Sequence, residues 1–160
     1  MSIYCSIVKS PIGDITIIAD ESAVNKITFS EKDTGELAEN SISKLAAKQL
    51  QAYFDGTLKD FTFPISQSGT AFQLEVWENL SKIPYAETIS YAKFSAHHPL
   101  AIRAIAAANG KNNIAIVVPC HRVIGSNGKL VGYASGLWRK KWLLQHEREV
   151  AHKGQTELKF

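Results

Sequence analysis

The apolar residues of this chain repeat with a period of two near the N-terminus and with a helical period farther on, a combination that restricts the fold to the α+β class. Three short segments rich in β-branched and aromatic residues are predicted strands, at residues 3–8, 14–20 and 23–29. Their short connections, such as Ser10–Gly13, favour an antiparallel meander. A helix is predicted over 42–54, with Gly56 in the usual C-terminal capping place. We therefore predict a small antiparallel sheet with a helix as an N-terminal domain, residues 1–67.

A second domain is predicted over residues 68–150, after a linker rich in Ser, Pro and Gly at 64–69. Thr70–Gln73 has the spacing of a capping box, and apolar residues then recur at helical intervals. A last helix is predicted over 137–150. Residues 151–160 are expected to form a loose tail.

The middle of this second domain has the pattern of a helix-turn-helix. Ser90 can cap a short helix over 91–97, and Pro99 suits the first turn of another over 100–109, which Gly110 would close. Two helices joined by about three residues make a helix-turn-helix. The second domain is therefore predicted to be mostly helical and winged-helix-like.

The charge is distributed unevenly along the chain. Residues 1–67 hold six Lys and nine acids, whereas residues 68–160 hold twelve Lys or Arg and six acids. No Asp or Glu occurs between Glu87 and Glu147, an interval with eight Lys or Arg. Such a surface attracts polyanions, nucleic acid above all, although a solvated basic face is the alternative.

Composition excludes several other classes of protein. The hydrophobic fraction of 45 % and charged fraction of 21 % are typical of a globular protein. No apolar run approaches the roughly 20 residues that span a bilayer, and no signal peptide is evident, so no membrane partner and a cytoplasmic location are expected. Cys5 and Cys120 are far apart and outside any Cys/His cluster, which argues against a disulfide or a zinc site.

The Pro119-Cys120-His121-Arg122 motif is the main candidate for chemistry. Cysteine is a good nucleophile as its thiolate, and cationic neighbours favour that form. Ile114–Val118 before it is predicted to be a buried strand or extended segment that Pro119 would break. Side chains of adjacent residues point opposite ways in a strand, so either Pro119 forces a turn or a water relays the proton to His121. The alternative is a small buried hydrophobic cysteine.

The sequence around this motif, together with flanking segments, resembles the O6-alkylguanine-DNA alkyltransferases from about residue 69 to 147. The resemblance is carried by residues 112–125, with further matches at 72–77, 83–85, 88–91, 103–110, 132–137 and 142–147. It implies single-turnover DNA repair without a cofactor. The alkyl group of O6-alkylguanine, and of O4-alkylthymine, would pass to Cys120 in a monomer bound to double-stranded DNA.

The resemblance also implies roles for individual residues around the cysteine. Cys120 would accept the alkyl group, His121 would take its proton through a water, and Glu147 would orient His121. Asn112 would tie the binding helices to the active-site turn, and Tyr91 would crowd the phosphate and donate a proton to the departing guanine. The residues implied for the base pocket are Val123, Tyr133, Ala134 and Lys140, with Lys140 near the guanine oxygen.

A base inside a duplex is unreachable, so the resemblance implies that the damaged nucleotide is flipped out through the minor groove. Arg103 would fill the vacated space. Its helix is otherwise nearly all small, which suits close approach to DNA, although alanines also simply favour helix. The residues implied for DNA contact are Tyr91, Arg103, Ala104, Ala107, Asn109, Gly110 and Arg122.

The sequence departs from the family pattern at two places. The segment from Tyr91 to Arg103 is about two residues shorter than the pattern, and Ser135 stands where a Gly-Gly pair is common.

Two other functions compete with repair. A cysteine hydrolase could use Cys120, His121 and Glu147 but would need an oxyanion hole. A non-catalytic sensor of alkyl lesions is the alternative from the binding class.

Overall fold

The structure is a computed structural model that describes residues 2–29, 37–97 and 101–152. The described residues divide into two compact units. Unit 1 runs up to Ser68 and includes the later segment Asn113–Val117, whereas unit 2 contains Gly69–Asn112 and the chain from Val118 onward. The predicted α+β class is confirmed. Every helix within the described ranges is too short or too polar to span a bilayer.

Unit 1 is built on a three-stranded sheet. Its antiparallel strands lie in the order β1-β2-β3 and are β1 (Tyr4–Ser10), β2 (Gly13–Ala19) and β3 (Val24–Thr28). The meander expected from the short connections is therefore present. The outer edge of β3 pairs with two distant residues through single parallel bridges, Val24 with Ile65 and Ile27 with Ile114. Ile114 thus completes the sheet edge from far along the chain.

Helix α1 (Ser41–Asp55) packs on this sheet. Asn40 and Ser43 form a reciprocal capping box at its start, and Gly56 ends it in the left-handed conformation, with φ 79°. Ala46, Leu50 and Tyr53 recur at helical spacing and are fully buried. Burying each large side chain contributes about 1.5–3 kcal/mol, so this face holds the helix on the sheet.

Unit 2 is mostly helical. Its helices within the described residues are α2 (Ala71–Leu80), α3 (Tyr91–Phe94), α4 (Ile102–Gly110) and α5 (Leu137–Ala151). Two short parallel strands, β4 (Ile89–Ser90) and β5 (Val123–Ile124), pair with each other. Thr70 and Gln73 form the predicted capping box of α2. The buried Trp77 indole N–H donates to the Ala108 carbonyl at 2.8 Å and thereby joins α2 to α4.

The helix-turn-helix region differs in detail from the prediction. Helix α3 ends at Phe94, because Ser95 leaves the helical conformation with ψ 9°. Pro99, which was expected to start the next helix, lies outside the described residues. Gly110 is the last residue of α4 rather than a left-handed cap, and Lys111 ends the helix in the right-handed region.

The predicted strand over Ile114–Val118 is wrong as a strand, although Ile114, Ile116 and Val118 are buried. Only Ile114 bridges to the sheet. Ile116 then has φ 71°, and the Val117 N–H donates to the Ala115 carbonyl at 2.8 Å, which closes a γ-turn. A short apolar run indicates burial without fixing the backbone, and a β-branched residue in this conformation costs about 1–3 kcal/mol.

Candidate active site

Cys120 begins a single 3-10 turn, Cys120–Arg122, directly after Pro119. Pro119 has φ −81° and ψ 64°, and the Cys120 N–H donates to the Val118 carbonyl at 2.8 Å, which is the geometry of an inverse γ-turn. The chain therefore turns at Pro119, which is one of the two alternatives that the sequence left open for this motif. All three side chains of the 3-10 turn are buried.

Asn112 fastens this turn. Its Nδ2 donates to the Val118 carbonyl at 2.9 Å, the same oxygen that accepts the Cys120 N–H. Its side chain also hydrogen-bonds to Cys120. Because Asn113–Val117 belongs to unit 1, Asn112 and Val118 are the two points where the chain leaves and re-enters unit 2. The Asn112 side chain joins those two points.

Glu147, on α5, is fully buried and accepts hydrogen bonds from three residues. Its Oε2 lies 2.7 Å from His121 Nε2 and 3.0 Å from Arg122 Nη2, while its Oε1 accepts from Arg122 Nε at 2.9 Å and from the Ala86 N–H at 3.2 Å. Burial opposes ionisation, but His121 and Arg122 hold the pKa of Glu147 well below its usual value. The Glu147 side chain is therefore an ionised carboxylate at neutral pH.

The His121 imidazole, also fully buried, has only one ring nitrogen engaged. Because an ionised Glu147 can only accept, His121 Nε2 carries the proton of that hydrogen bond. Nδ1 is buried and has no hydrogen-bond partner among the described residues. Burial lowers the pKa of His121, although Glu147 opposes this effect. His121 is thus a neutral imidazole whose Nδ1 can accept a hydrogen bond that no described residue donates.

Arg122 belongs to this buried cluster, which argues against its predicted role as a DNA contact. Only 6 % of the residue is exposed. Its guanidinium makes a bidentate pair with Glu147, donates to the Ile83 carbonyl at 2.7 Å and lies 5.6 Å from the centroid of the Tyr85 ring. Its charge is paired with Glu147, and its Nε, Nη1 and Nη2 atoms each donate a hydrogen bond inside the protein.

The Cys120 thiol is protonated at rest. Burial raises its pKa, while the hydrogen bond from Asn112 and the charge of Lys140 act in the opposite direction. The sequence suggested that the cationic neighbours His121 and Arg122 would favour the thiolate. In the structure His121 is neutral and Arg122 is paired with Glu147, so neither does. Cys120 therefore needs a base to become a nucleophile.

Lys140 holds two segments of the chain together from inside the protein. Although fully buried, it donates from Nζ to the carbonyls of Val123 at 2.7 Å, Val131 at 2.7 Å and Gly132 at 3.2 Å. Burial lowers its pKa to about 8, against the effect of Cys120. All three ammonium protons are thus used to tie strand β5 to the segment before Tyr133.

The other predicted pocket residues differ in exposure. Val123 is buried in β5 opposite Ile89, and Ala134 is exposed. Tyr133 is half-buried, and its hydroxyl is buried with no partner among the described residues. Burial, followed by the proximity of Cys120, raises the pKa of Tyr133. Tyr133 is thus within electrostatic range of Cys120, and its hydroxyl can still form a hydrogen bond.

Tyr91 and Asn109 form a pair beside the site. Asn109 Nδ2 donates to the Tyr91 hydroxyl at 2.8 Å, and burial raises the pKa of Tyr91, with Cys120 contributing. Asn109 is only 5 % exposed. Its burial argues against the predicted direct contact with DNA, because its amide is bonded to Tyr91. Tyr91 is partly exposed, and Asn109 fixes its hydroxyl.

The exposed side of α4 is made largely of small residues. The residues predicted to contact DNA that lie exposed on it are Arg103, Ala104, Ala107 and Gly110. A Cβ added to Gly110 would meet no atom within 4 Å. Arg103 is thus the one long side chain among these four positions.

The residues missed by sequence reasoning act through the backbone. The Ile83 carbonyl accepts from Arg122 and the Ala86 N–H donates to Glu147, so the 83–86 segment completes the carboxylate cluster. Ala86 has φ 66°, a conformation rare for residues other than glycine. No sequence signal reveals a backbone donor on an alanine.

Two family models match the chain. The model described as 6-O-methylguanine DNA methyltransferase, DNA binding domain, covers residues 71–149, and the one described as 6-O-methylguanine DNA methyltransferase, ribonuclease-like domain, covers residues 3–67. Together these matches span both units.

Curated relatives and solved structures agree with this match. The methylated-DNA--protein-cysteine methyltransferase of Methanosarcina acetivorans is 44 % identical, over 90 % of this chain and 97 % of its own. The constitutive methylated-DNA--protein-cysteine methyltransferase of Bacillus subtilis is 38 % identical, over 94 % and 98 %. The crystal structure of Mycobacterium tuberculosis OGT in complex with DNA is similar with a TM-score of 0.82, 39 % identity and 94 % coverage of both chains. The chain belongs to the 6-O-methylguanine DNA methyltransferase family.

Proposed function

We propose that this protein repairs DNA by moving the alkyl group of O6-alkylguanine, and of O4-alkylthymine, irreversibly onto Cys120. The observation that carries the proposal is the buried Cys120 thiol beside a neutral His121 whose free Nδ1 can accept a proton and whose Nε2 is held by Glu147. This is the nucleophile, base and orienting group that activated thiols require. We further propose that the protein acts as a monomer in the cytoplasm.

The reaction begins with removal of the thiol proton. His121 Nδ1 takes the proton of Cys120 through one water, and Glu147 stabilises the imidazolium that forms. The thiolate sulfur then attacks the alkyl carbon, a carbon–sulfur bond forms, and the bond from that carbon to guanine O6 breaks. The Tyr91 hydroxyl donates a proton to the departing guanine. The proton that His121 took from the thiol then returns, by way of solvent, to the Tyr91 oxygen, so that both side chains regain their starting forms. The product is a thioether and normal guanine.

The damaged base occupies a pocket beside the 3-10 turn. Val123, Tyr133 and Ala134 line it, and the unsatisfied Tyr133 hydroxyl offers a hydrogen bond to the base. Lys140 supports the pocket from behind, because its three donors are committed to backbone carbonyls and hold the wall that carries Tyr133. This role replaces direct contact of Lys140 with the guanine oxygen.

The exposed face of α4 enters the minor groove. Its small residues Ala104, Ala107 and Gly110 permit close approach of the helix, and Arg103 fills the space that the flipped nucleotide leaves. Arg103→Ala should slow transfer from a duplex but leave the reaction with free O6-benzylguanine nearly unchanged. Equal losses on both substrates in single-turnover measurements would remove Arg103 from this role.

Intact-protein mass spectrometry after exposure to DNA containing O6-methylguanine tests the proposal as a whole. A thioether has no carbonyl to hydrolyse, so each molecule should gain one methyl mass, on the peptide that contains Cys120. Cys120→Ser should gain none, whereas Cys5→Ser, which changes the other buried cysteine, should react normally. Repeated turnover on a chromogenic ester would favour a hydrolase, and tight binding of the lesion without a mass change would favour a sensor.

A further inference from the structure

Helix α5 carries aromatic rings along one face. Trp138, Trp142 and His146 follow one another at intervals of four residues, a spacing that places them on the same side of a helix. The Trp142 and His146 rings are stacked, with centroids 4.7 Å apart and planes 17° from parallel. Trp138, at the start of the helix, is 56 % exposed. Trp138 is the most exposed of the large apolar side chains among the described residues, and it therefore marks a candidate contact surface.

The Trp138 ring is held in place despite its exposure. The Arg139 guanidinium lies 4.5 Å from the centroid of the Trp138 ring, and Arg139 Nη1 donates to the Ser135 carbonyl at 2.8 Å. The edge of the indole lies close to Gly136, where an added Cβ would come within 3.1 Å of Trp138 Cδ1. Since the ring is already fixed, little conformational entropy is lost when a ligand covers it.

The position of this ring links it to the candidate active site. Arg139 is bonded to the Ser135 carbonyl, and the Trp138 ring lies close to Gly136. These two loop residues directly follow Tyr133 and Ala134, which are in the proposed pocket wall. Lys140, two residues after Trp138, turns inward and donates to the Val123 carbonyl. The exposed indole and the proposed pocket wall thus belong to one continuous piece of chain.

We propose that Trp138, backed by Arg139, is a stacking platform for an unpaired base of a bound DNA strand. The proposal rests on the proposed function, since it concerns the DNA held at the same site. The distribution of charge favours this occupant, because the interval from Glu87 to Glu147 contains no acid and includes Arg139, which lies over the ring, and Lys141, one helical turn after Trp138. Aromatic rings set among cations are the usual means of binding single-stranded nucleic acid without sequence preference.

Undamaged oligonucleotides test the platform without any alkyl transfer. We would measure the affinity of the protein for a duplex with a short single-stranded extension and for the same duplex with an abasic extension. The two carry equal numbers of phosphates, so their difference reports base stacking alone. The protein should prefer the base-bearing extension by at least about fivefold, which corresponds to roughly 1 kcal/mol for one stacked base.

Three variants make the test specific. Trp138→Leu keeps an apolar side chain but should abolish the preference, whereas Trp138→Phe should retain part of it. Leu137→Ala removes the neighbouring apolar side chain, itself 46 % exposed, and should leave the preference intact. All three should repair O6-methylguanine in a blunt duplex as the unchanged protein does.

Three outcomes would overturn the proposal. The first is equal affinity of the unchanged protein for the two extensions, and the second is an undiminished preference in Trp138→Leu. The third is a concentration-dependent dimer, measured by sedimentation, that Trp138→Leu dissociates, because the face would then serve a second copy of the chain. Failure of the unchanged protein to repair the blunt duplex would contradict the proposed function instead, and the comparison of extensions would still decide the role of Trp138.

Discussion

Replacing Glu147 with Gln should cost much of the stability of this protein, because the buried carboxylate is the only partner that neutralises Arg122 among the described residues. Arg122 is 6 % exposed and Glu147 is fully buried. Removing one member of a buried ion pair leaves an uncompensated charge and costs about 3–5 kcal/mol. A domain is stable by only about 5–15 kcal/mol, so Glu147→Gln should unfold at a much lower urea concentration.

A double-mutant cycle separates this pairing from general disruption. Arg122→Met removes the cation but keeps much of its apolar stem, so Glu147→Gln should cost far less in an Arg122→Met background. We would measure the free energy of unfolding of the four proteins in urea at pH 7. A loss below about 1 kcal/mol in Glu147→Gln, or additive losses in the double variant, would refute the pairing as the main role of Glu147 in stability.

The same cycle has a defined dependence on pH. The pKa of Glu147 is held below its usual value of 4.5 in the folded protein, so the unfolded chain takes up a proton first as the solution is acidified. The stability that Glu147 contributes is therefore fully present above about pH 4.5 and is lost as the pH falls below it. The gap between the unchanged protein and Glu147→Gln should narrow in that range, and a gap independent of pH would contradict the lowered pKa.

Three further predictions concern the surroundings of the site. Lys140→Met should slow alkyl transfer in single-turnover assays and expose the 131–136 segment to proteolysis, because three backbone carbonyls lose their hydrogen-bond donor. Unchanged transfer rates would exclude a supporting role for Lys140. Gly69→Ala should cost about 1–3 kcal/mol of unfolding free energy, because a Cβ there lies 2.7 Å from the Trp77 ring, whereas Gly110→Ala, with no atom within 4 Å, should cost nothing. Ala86→Gly relieves a left-handed residue, so the folded state should lose no stability in thermal unfolding.

Local sequence signals predicted most elements of the fold correctly. The strand periodicity before residue 30, the capping box at Thr70 and Gln73, and the final helix all depend on contacts between residues close in sequence. The segment Ile114–Val118 was misjudged because its backbone is fixed by a distant strand and by Asn112, neither of which its own composition reveals.

The sequence predicted which residues are functional better than it predicted which way their side chains point. Arg122 and Asn109 were both identified as functional, but both were assigned to the DNA surface. Their side chains face inward because Glu147 and Tyr91 approach from distant parts of the chain. A sequence shows that a polar residue is present, whereas the partner that turns it inward is known only once the helices are in place.

Unit 1 contains a segment from far along the chain, and this affects the order in which the protein can fold during synthesis. Unit 1 does not end at Ser68, because Asn113–Val117 supplies the bridge of Ile114 to the edge of β3. The ribosome must therefore produce the whole of α2, α3 and α4 before the N-terminal sheet can gain its last bridging residue. A nascent chain cut off between residues 68 and 112 could still form the bridge of Val24 to Ile65, but it would leave the edge of β3 unpaired at Ile27. An unpaired strand edge is the kind of surface that chaperones bind and that aggregates.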